Sequence, residues 1–301
     1  MSDRLIVSSS PHFSGKMTTA KIMGGVLIAL APAVIASCIL FGLRALLVIA
    51  VCVAACVACE YLCRIAMKRE QTVGDLSAAV TGVLLALSLP VDVGIGQAVF
   101  GCVCAIVVIK QFFSGIGQNF INPALGARII MLVSFPDSMT TYTYDGITTA
   151  TPLSGGEADT LDLWLGTMGG SLGETCAVAL IIGGIALICF GIIRPVIPAF
   201  YIGTVALMSL ACGENAVLQI LSGGLLLAAF FMATDYTTSP LTDTGKAIYA
   251  IGCGILTCVI RFYANLPEGV SYAIVLMNIL TPLIDRIVPR YFGKQKKEAK
   301  G

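Results

Sequence analysis

Charge is what this sequence has least of. Lys, Arg, Asp and Glu make up 12% of its 301 residues, against 57% hydrophobic residues. A soluble surface needs about 25% charged residues. The mean hydropathy is +0.93, and several apolar runs approach the ~20 residues that cross a hydrocarbon core. A soluble globular fold is therefore excluded, and an all-α polytopic membrane protein is expected. Histidine is nearly absent too. His12 is the only one, so neither a bis-histidine haem nor a histidine-based zinc site can be built within this chain. A Ser–His hydrolase is not expected, because nothing places a nucleophile beside His12. The net charge of +1 is small, and no nucleic-acid partner is expected. No signal peptide is evident, and the arm carrying Arg4, Lys16 and Lys21 reads as a retained cytoplasmic N-terminus.

Twelve cysteines are present, but no C-x-x-C-x-x-C run of the kind that ligates an iron–sulfur cluster. Cys52, Cys56, Cys59 and Cys63 recur as one stripe of one helix. At 1.5 Å per residue that stripe extends over about 16 Å, too far for its members to converge on one cluster. Packing is the favoured reading, a half-site shared with a partner is the alternative, and no metal site is expected.

Ten apolar segments are expected, roughly 22–41, 45–63, 76–90, 96–112 and 124–135, then 175–193, 197–212, 216–233, 247–262 and 269–287. The third and fifth are short for a full span and read as tilted or broken helices. Threaded alternately from inside, they put fifteen Lys and Arg residues on the cytoplasmic side and only Arg44 and Arg261 outside. By the positive-inside rule both termini are then cytoplasmic, in a bacterial inner membrane. Five segments per half require the second half to enter from the opposite side, the arithmetic of two inverted five-helix repeats. The expected organisation is a cytoplasmic arm over 1–21, a first membrane half over 22–135, an extracytoplasmic loop over 136–174, a second membrane half over 175–287 and a basic cytoplasmic tail over 288–301.

No Lys or Arg occurs between Ser134 and Glu174, an interval that carries Asp137, Asp145, Glu157, Asp159, Asp162 and Glu174. Within it, Asp145-Gly146-Ile147-Thr148-Thr149-Ala150-Thr151 resembles the signature at which FMN is esterified to threonine. Asp145, Thr148, Ala150 and Thr151 match that signature, with Thr151 as the acceptor. Thr149 stands where glycine is usual. Trp164, in the same loop, reads as an interfacial anchor, with stacking on a flavin as the alternative.

Two polar, proline-interrupted stretches lie on the expected cytoplasmic side. One runs through Gly117, Gln118, Asn119 and Asn122-Pro123, the other through Thr234, Asp235, Thr238 and Ser239-Pro240. Both suit helix starts at the prolines. They could equally line a cavity for an ion or a flavin edge, with Asn119, Asn122, Thr234 and Asp235 as the candidate ion-pathway residues. Among charges near or inside apolar segments, Glu60 and Asp285 have Arg64 and Arg286 close by for pairing. Arg128 has no partner nearby in sequence, which makes it a candidate for a flavin phosphate or a partner subunit.

In chain order, Ser10-Pro11-His12, Asp75-Leu76-Ser77-Ala78, Gly117-Gln118-Asn119, Asn122-Pro123-Ala124, Gly173-Glu174-Thr175, Phe231-Met232-Ala233-Thr234-Asp235 and Pro267-Glu268-Gly269-Val270 resemble the RnfD family, membrane subunits of Rnf ion-translocating ferredoxin:NAD⁺ oxidoreductases. The NqrB subunit of the sodium-pumping NADH:quinone reductase is its more distant relative. The resemblance implies covalent FMN at Thr151, attached by a flavin transferase, and electron transfer coupled to Na⁺ or H⁺ movement among the subunits of a larger complex. It leaves open a second, non-covalent flavin. No complete catalytic site is expected in this chain alone. A non-redox channel or ion transporter on the same scaffold is the alternative.

Overall fold

The computed structural model describes residues 18–288 except 114, 116, 145, 146, 150, 155–158, 265 and 267. Apolar composition leaves the backbone few ways to satisfy its polar groups in hydrocarbon, and helices satisfy them within the segment. The regular structure among the described residues is accordingly helical apart from one short hairpin. Three helices are long and apolar enough to cross a membrane, and five shorter apolar ones accompany them. Apolar side chains also cover the outer faces, with Ile39 77% and Leu43 84% exposed, a distribution that water would penalise and lipid or partner helices would not. The chain is a polytopic membrane protein.

Helix α1 (Thr19–Ala66) bends at Gly42, whose φ of 67° is open to glycine and strained for other residues. Its two arms run antiparallel. Thr19 and Met23 of the first arm line a cavity together with Lys110, and Glu60 near the end of the second arm pairs with the same lysine. The bend lies at the opposite end of the bundle, where Arg44 donates to the carbonyl of Val93 at 3.1 Å and Ser37 to that of Leu172 at 2.5 Å. The second arm lies close against α2 (Ser77–Leu87), because Gly82 has no side chain. A Cβ there would stand 2.8 Å from the Val53 Cα.

Helix α3 (Ile95–Gln111) ends in a π-helical stretch from Cys104 to Gln111. Helix α4 (Pro123–Ser134) follows. The interval from Phe135 to Cys176 is not a bare loop. It folds into α5 (Pro136–Thr140), an antiparallel hairpin of β1 (Tyr142–Tyr144) and β2 (Ile147–Thr149), and α6 (Thr160–Leu165). It then returns to the bundle, where Gly173 and Leu172 donate to the carbonyls of Leu87 and Leu89 at 2.7 and 3.0 Å. The second half holds α7 (Ala177–Cys189), α8 (Val196–Ala211), α9 (Ala216–Leu221), α10 (Leu225–Leu227) with a π-helical continuation over Ala228–Met232, α11 (Asp243–Tyr263) and α12 (Gly269–Ile287).

Three local expectations are corrected. The second polar stretch does not start a helix at Pro240; α11 starts at Asp243, capped by Thr242, whose hydroxyl accepts from the Gly245 amide at 3.1 Å. Glu60 pairs with Lys110 at 3.0 Å rather than with Arg64, because helix packing brings a cation fifty residues away closer than one on the next turn. Asp285 accepts the backbone N–H of Leu241 at 3.1 Å and forms no ion pair among the described residues.

Candidate functional site

The bundle has two polar centres, one toward each end. At the end remote from the 134–174 interval, the two polar stretches meet around one cavity of about 290 Å³, near the lower bound of small-ligand pockets. Asn119, Asn122, Thr234 and Asp235 all line it, beside Ser77 and Lys110.

Local chemistry explains how they arrive there. Asn122 caps α4, its Oδ1 accepting from the amides of Ala124 and Leu125 at 3.0 and 3.4 Å, with Pro123 in the first turn. The same side chain crosses to the other half, its Nδ2 donating to the Met232 carbonyl at 3.1 Å. That carbonyl ends the π-helical stretch, so an amide fills what the irregular helix leaves open. Asn278 continues the seam, with its amide turned to donate to Tyr249 Oη at 2.7 Å and the Thr238 carbonyl at 3.3 Å and to accept from the Asn122 N–H at 3.2 Å. Asp235 accepts from Thr237 Oγ1 at 2.9 Å and Thr238 Oγ1 at 3.4 Å. Burial pushes its carboxyl above the usual range, opposed by the bonds from Thr237. Asn119 Oδ1 is buried without a hydrogen-bond partner among the described residues.

A buried network borders this cavity. Lys110 Nζ donates to Glu60 Oε2 at 3.0 Å and Ser77 Oγ at 2.6 Å, while Gln111 Nε2 and Thr72 Oγ1 each donate to Glu60 Oε1 at 3.0 Å. Lys110 and Glu60 are 2% and 0% exposed. Low dielectric makes such a pair tenable only when its remaining polar atoms are satisfied, and here partners surround Glu60. Sequence reading counted Lys110 only as cytoplasmic charge; its position in the last turn of an apolar helix was the available signal.

At the other end, Arg128 is engaged rather than free. Its Nη1 lies 2.8 Å from Glu174 Oε1 and its Nη2 2.6 Å from Glu268 Oε2. Tyr142 Oη donates to Glu268 Oε1 at 2.6 Å. Both carboxylates come from turns far away in sequence, which is why no local search finds them. Arg128, a candidate for a flavin phosphate or a partner subunit, thus already holds two carboxylates of its own chain. Burial pushes the Glu268 carboxyl up against the opposing pull of Arg128, and burial likewise raises the Tyr142 phenol.

Thr151 stands beside this cluster. It is half-buried and lines a hollow of about 20 Å³ with Tyr142, Gly170, Glu174, Thr175 and Glu268. That volume is far below the ~300 Å³ of a ligand pocket. A flavin ring does not fit in the hollow, and one attached to Thr151 would lie outside it. Thr148 is in β2, its backbone opposite Thr143. Asp145 and Ala150 lie outside the described residues. Trp164 is in α6 and 38% exposed. Cys52, Cys56, Cys59 and Cys63 are free thiols, and no metal-holding group occurs among the described residues.

A family model described as "NQR2, RnfD, RnfE family" matches residues 6–293. The chain is similar to a subunit of the Na(+)-translocating ferredoxin:NAD(+) oxidoreductase complex of Acetobacterium woodii, at 49% identity over 98% of each chain. It is 39% identical to the corresponding subunit of the proton-translocating ferredoxin:NAD(+) oxidoreductase complex of Clostridium ljungdahlii, over 96% of each. It is 35% identical to that of the ion-translocating oxidoreductase complex of Stutzerimonas stutzeri, over 92% of this chain and 93% of that one.

Proposed function

The chain belongs to the NQR2, RnfD, RnfE family, and from that premise we propose that it is the RnfD subunit of an ion-translocating ferredoxin:NAD⁺ oxidoreductase complex, carrying FMN esterified to Thr151. The observation that carries this reading is the match of Asp145, Thr148, Ala150 and Thr151 to a flavin-acceptor signature, in a chain nearly half identical to such a subunit along its whole length. The flavin supplies one- and two-electron chemistry, and the protein supplies position and electrostatic surroundings. Thr151 anchors the phosphate; the β1–β2 hairpin and the Tyr142–Glu268 hydrogen bond hold the approach to it. Electrons pass between partner subunits, and a flavin transferase attaches the group.

In the same reading the 136–174 interval faces outward, both termini are cytoplasmic, and ten spans form two inverted repeats of five. The crossing of Asn122 to Met232 supports halves that interlock. Asn119, Asn122, Thr234 and Asp235 line the cytoplasmic ion entry. Na⁺ is the favoured cargo over H⁺, since the relative at 49% identity is the Na⁺-translocating one.

In-gel fluorescence and intact mass of the purified chain test the proposal. One FMN adduct that disappears in Thr151→Val is expected. An unmodified wild-type chain would instead support a channel or transporter without redox activity, and an adduct surviving Thr151→Val would move the ester to Thr148 or Thr149.

A further inference from the structure

Arg64 is a buried guanidinium that the chain itself leaves unanswered. It lies in the last turn of α1 and is 8% exposed. It forms no ion pair among the described residues, and its Nε has no hydrogen-bond partner among them. The side chain reaches the turn after α3, where a Cβ at Gly115 would stand 2.3 Å from its Nη2. The carboxylate one turn back is already taken. Glu60 Oε2 accepts from Lys110, and its Oε1 from Gln111 and Thr72. Glu70 and Asp75, the other carboxylates of this stretch, form no ion pair with Arg64. A buried guanidinium with a spare N–H calls for an anion that brings acceptor oxygens.

An open groove of about 810 Å³ occupies the same helix. Leu46, Ala50, Val53, Val57 and Tyr61 line it, with Val73 of the segment that follows. The helical members recur at steps of three and four, and Arg64, three residues beyond Tyr61, continues their stripe. From Leu46 to Tyr61 the groove extends over about 22 Å at 1.5 Å per residue. That exceeds the ~15 Å of hydrocarbon in one leaflet. Leu62 and Ile65 beside Arg64 are exposed, as is Phe120, and Phe112 near the Gly115 turn is 77% exposed. Lys68 and Arg69, also exposed, follow where the helix ends. Apolar side chains flanking the guanidinium and cations just beyond it are the profile of a boundary between hydrocarbon and headgroups.

We propose that Arg64 binds the phosphate of one anionic phospholipid, of the phosphatidylglycerol kind, whose acyl chain lies in the Leu46–Tyr61 groove. A guanidinium presents paired N–H donors that match phosphate oxygens, and basic pockets at the ends of membrane helices hold anionic headgroups. The groove alone does not choose a lipid, because acyl tails are as apolar as its walls. Selection comes from Arg64, with Lys68 and Arg69 drawing negative charge to the same end. The carboxylate of a soluble partner would have to approach among exposed Leu, Ile and Phe side chains, which favours a lipid as the occupant. The site requires a membrane-spanning chain and is independent of the Thr151 ester.

The test uses the whole purified complex in phosphatidylcholine vesicles that contain a small fraction of a phospholipid with a photoreactive acyl chain. The probe is phosphatidylglycerol in one sample and phosphatidylcholine in the other, and labelled peptides are mapped after illumination. Residues 46–61 should carry about tenfold more of the phosphatidylglycerol probe. Arg64→Gln should bring the two probes to equal labelling, whereas Lys68→Gln combined with Arg69→Gln should weaken the preference without abolishing it. Equal labelling by both probes in wild type overturns the proposal. So does labelling of 46–61 by neither, the result of a partner subunit's helix covering the groove, and so does a preference that survives Arg64→Gln. If Arg64→Gln fails to assemble, the comparison of the two probes in wild type decides.

Discussion

The amide of Asn122 reaches across 110 residues to the carbonyl of Met232, at 3.1 Å, while its oxygen caps the helix that it begins. One side chain thereby closes a helix start in one half and a helix end in the other. Asn122→Ser retains the cap and loses the crossing bond, leaving a buried carbonyl without its donor. A loss of about 1–3 kcal/mol is expected, read as a lower melting temperature of the purified complex, with Asn122→Ala lower still because the cap goes as well.

Lys110→Met should destabilise the protein by about 3–5 kcal/mol, because it leaves the Glu60 carboxylate buried without a cation. Lys110→Met with Glu60→Gln removes both charges and should recover much of that loss. Thermal unfolding in detergent distinguishes the two. A double variant no more stable than the single one would mean that the pair is not the reason.

Gly82→Val should separate the second arm of α1 from α2. The added Cβ would meet the Val53 Cα at 2.8 Å and the Cys52 carbonyl oxygen at 2.9 Å, both backbone atoms unable to swing aside. Overpacking of this kind costs about 1–3 kcal/mol, and the yield of folded protein should fall. Gly96→Ala, where nothing lies within 4 Å, is the control and should fold as wild type does.

Asp235→Asn should impair ion-coupled turnover and leave the Thr151 adduct intact, since the two residues line separate cavities. Because burial raises the Asp235 carboxyl, its charged form is present above the raised value and is lost as pH falls through it. Wild-type turnover should therefore decline on acidification earlier than an ordinary aspartate would allow, and the Asn variant should lack that limb. Turnover, transport and pH profile all equal to wild type would remove Asp235 from the pathway.

A reporter fused after Lys300 should be active on the cytoplasmic side only, from fifteen Lys and Arg residues against two. Activity confined to the outer side would invert the whole assignment.

Hydropathy alone located the apolar helices, because a bilayer admits few other ways to satisfy a backbone. Each of the ten expected segments contains helix, down to the short third one, Ser77–Leu87. The proposed acceptor signature at Thr151 is the kind of pattern a sequence can display, because its members are neighbours in the chain. Asn122 and Asp235 were readable as polar residues beside prolines, but not as walls of one cavity. What the sequence could not convey is pairing across distance. Arg128 stood alone among its neighbours until folding brought Glu174 and Glu268 to it, and Glu60 took Lys110 over the adjacent Arg64. Composition and period are local properties that one strand of text carries in full. The partner of a buried charge is chosen by whichever helices pack together, and that choice exists only in the tertiary structure.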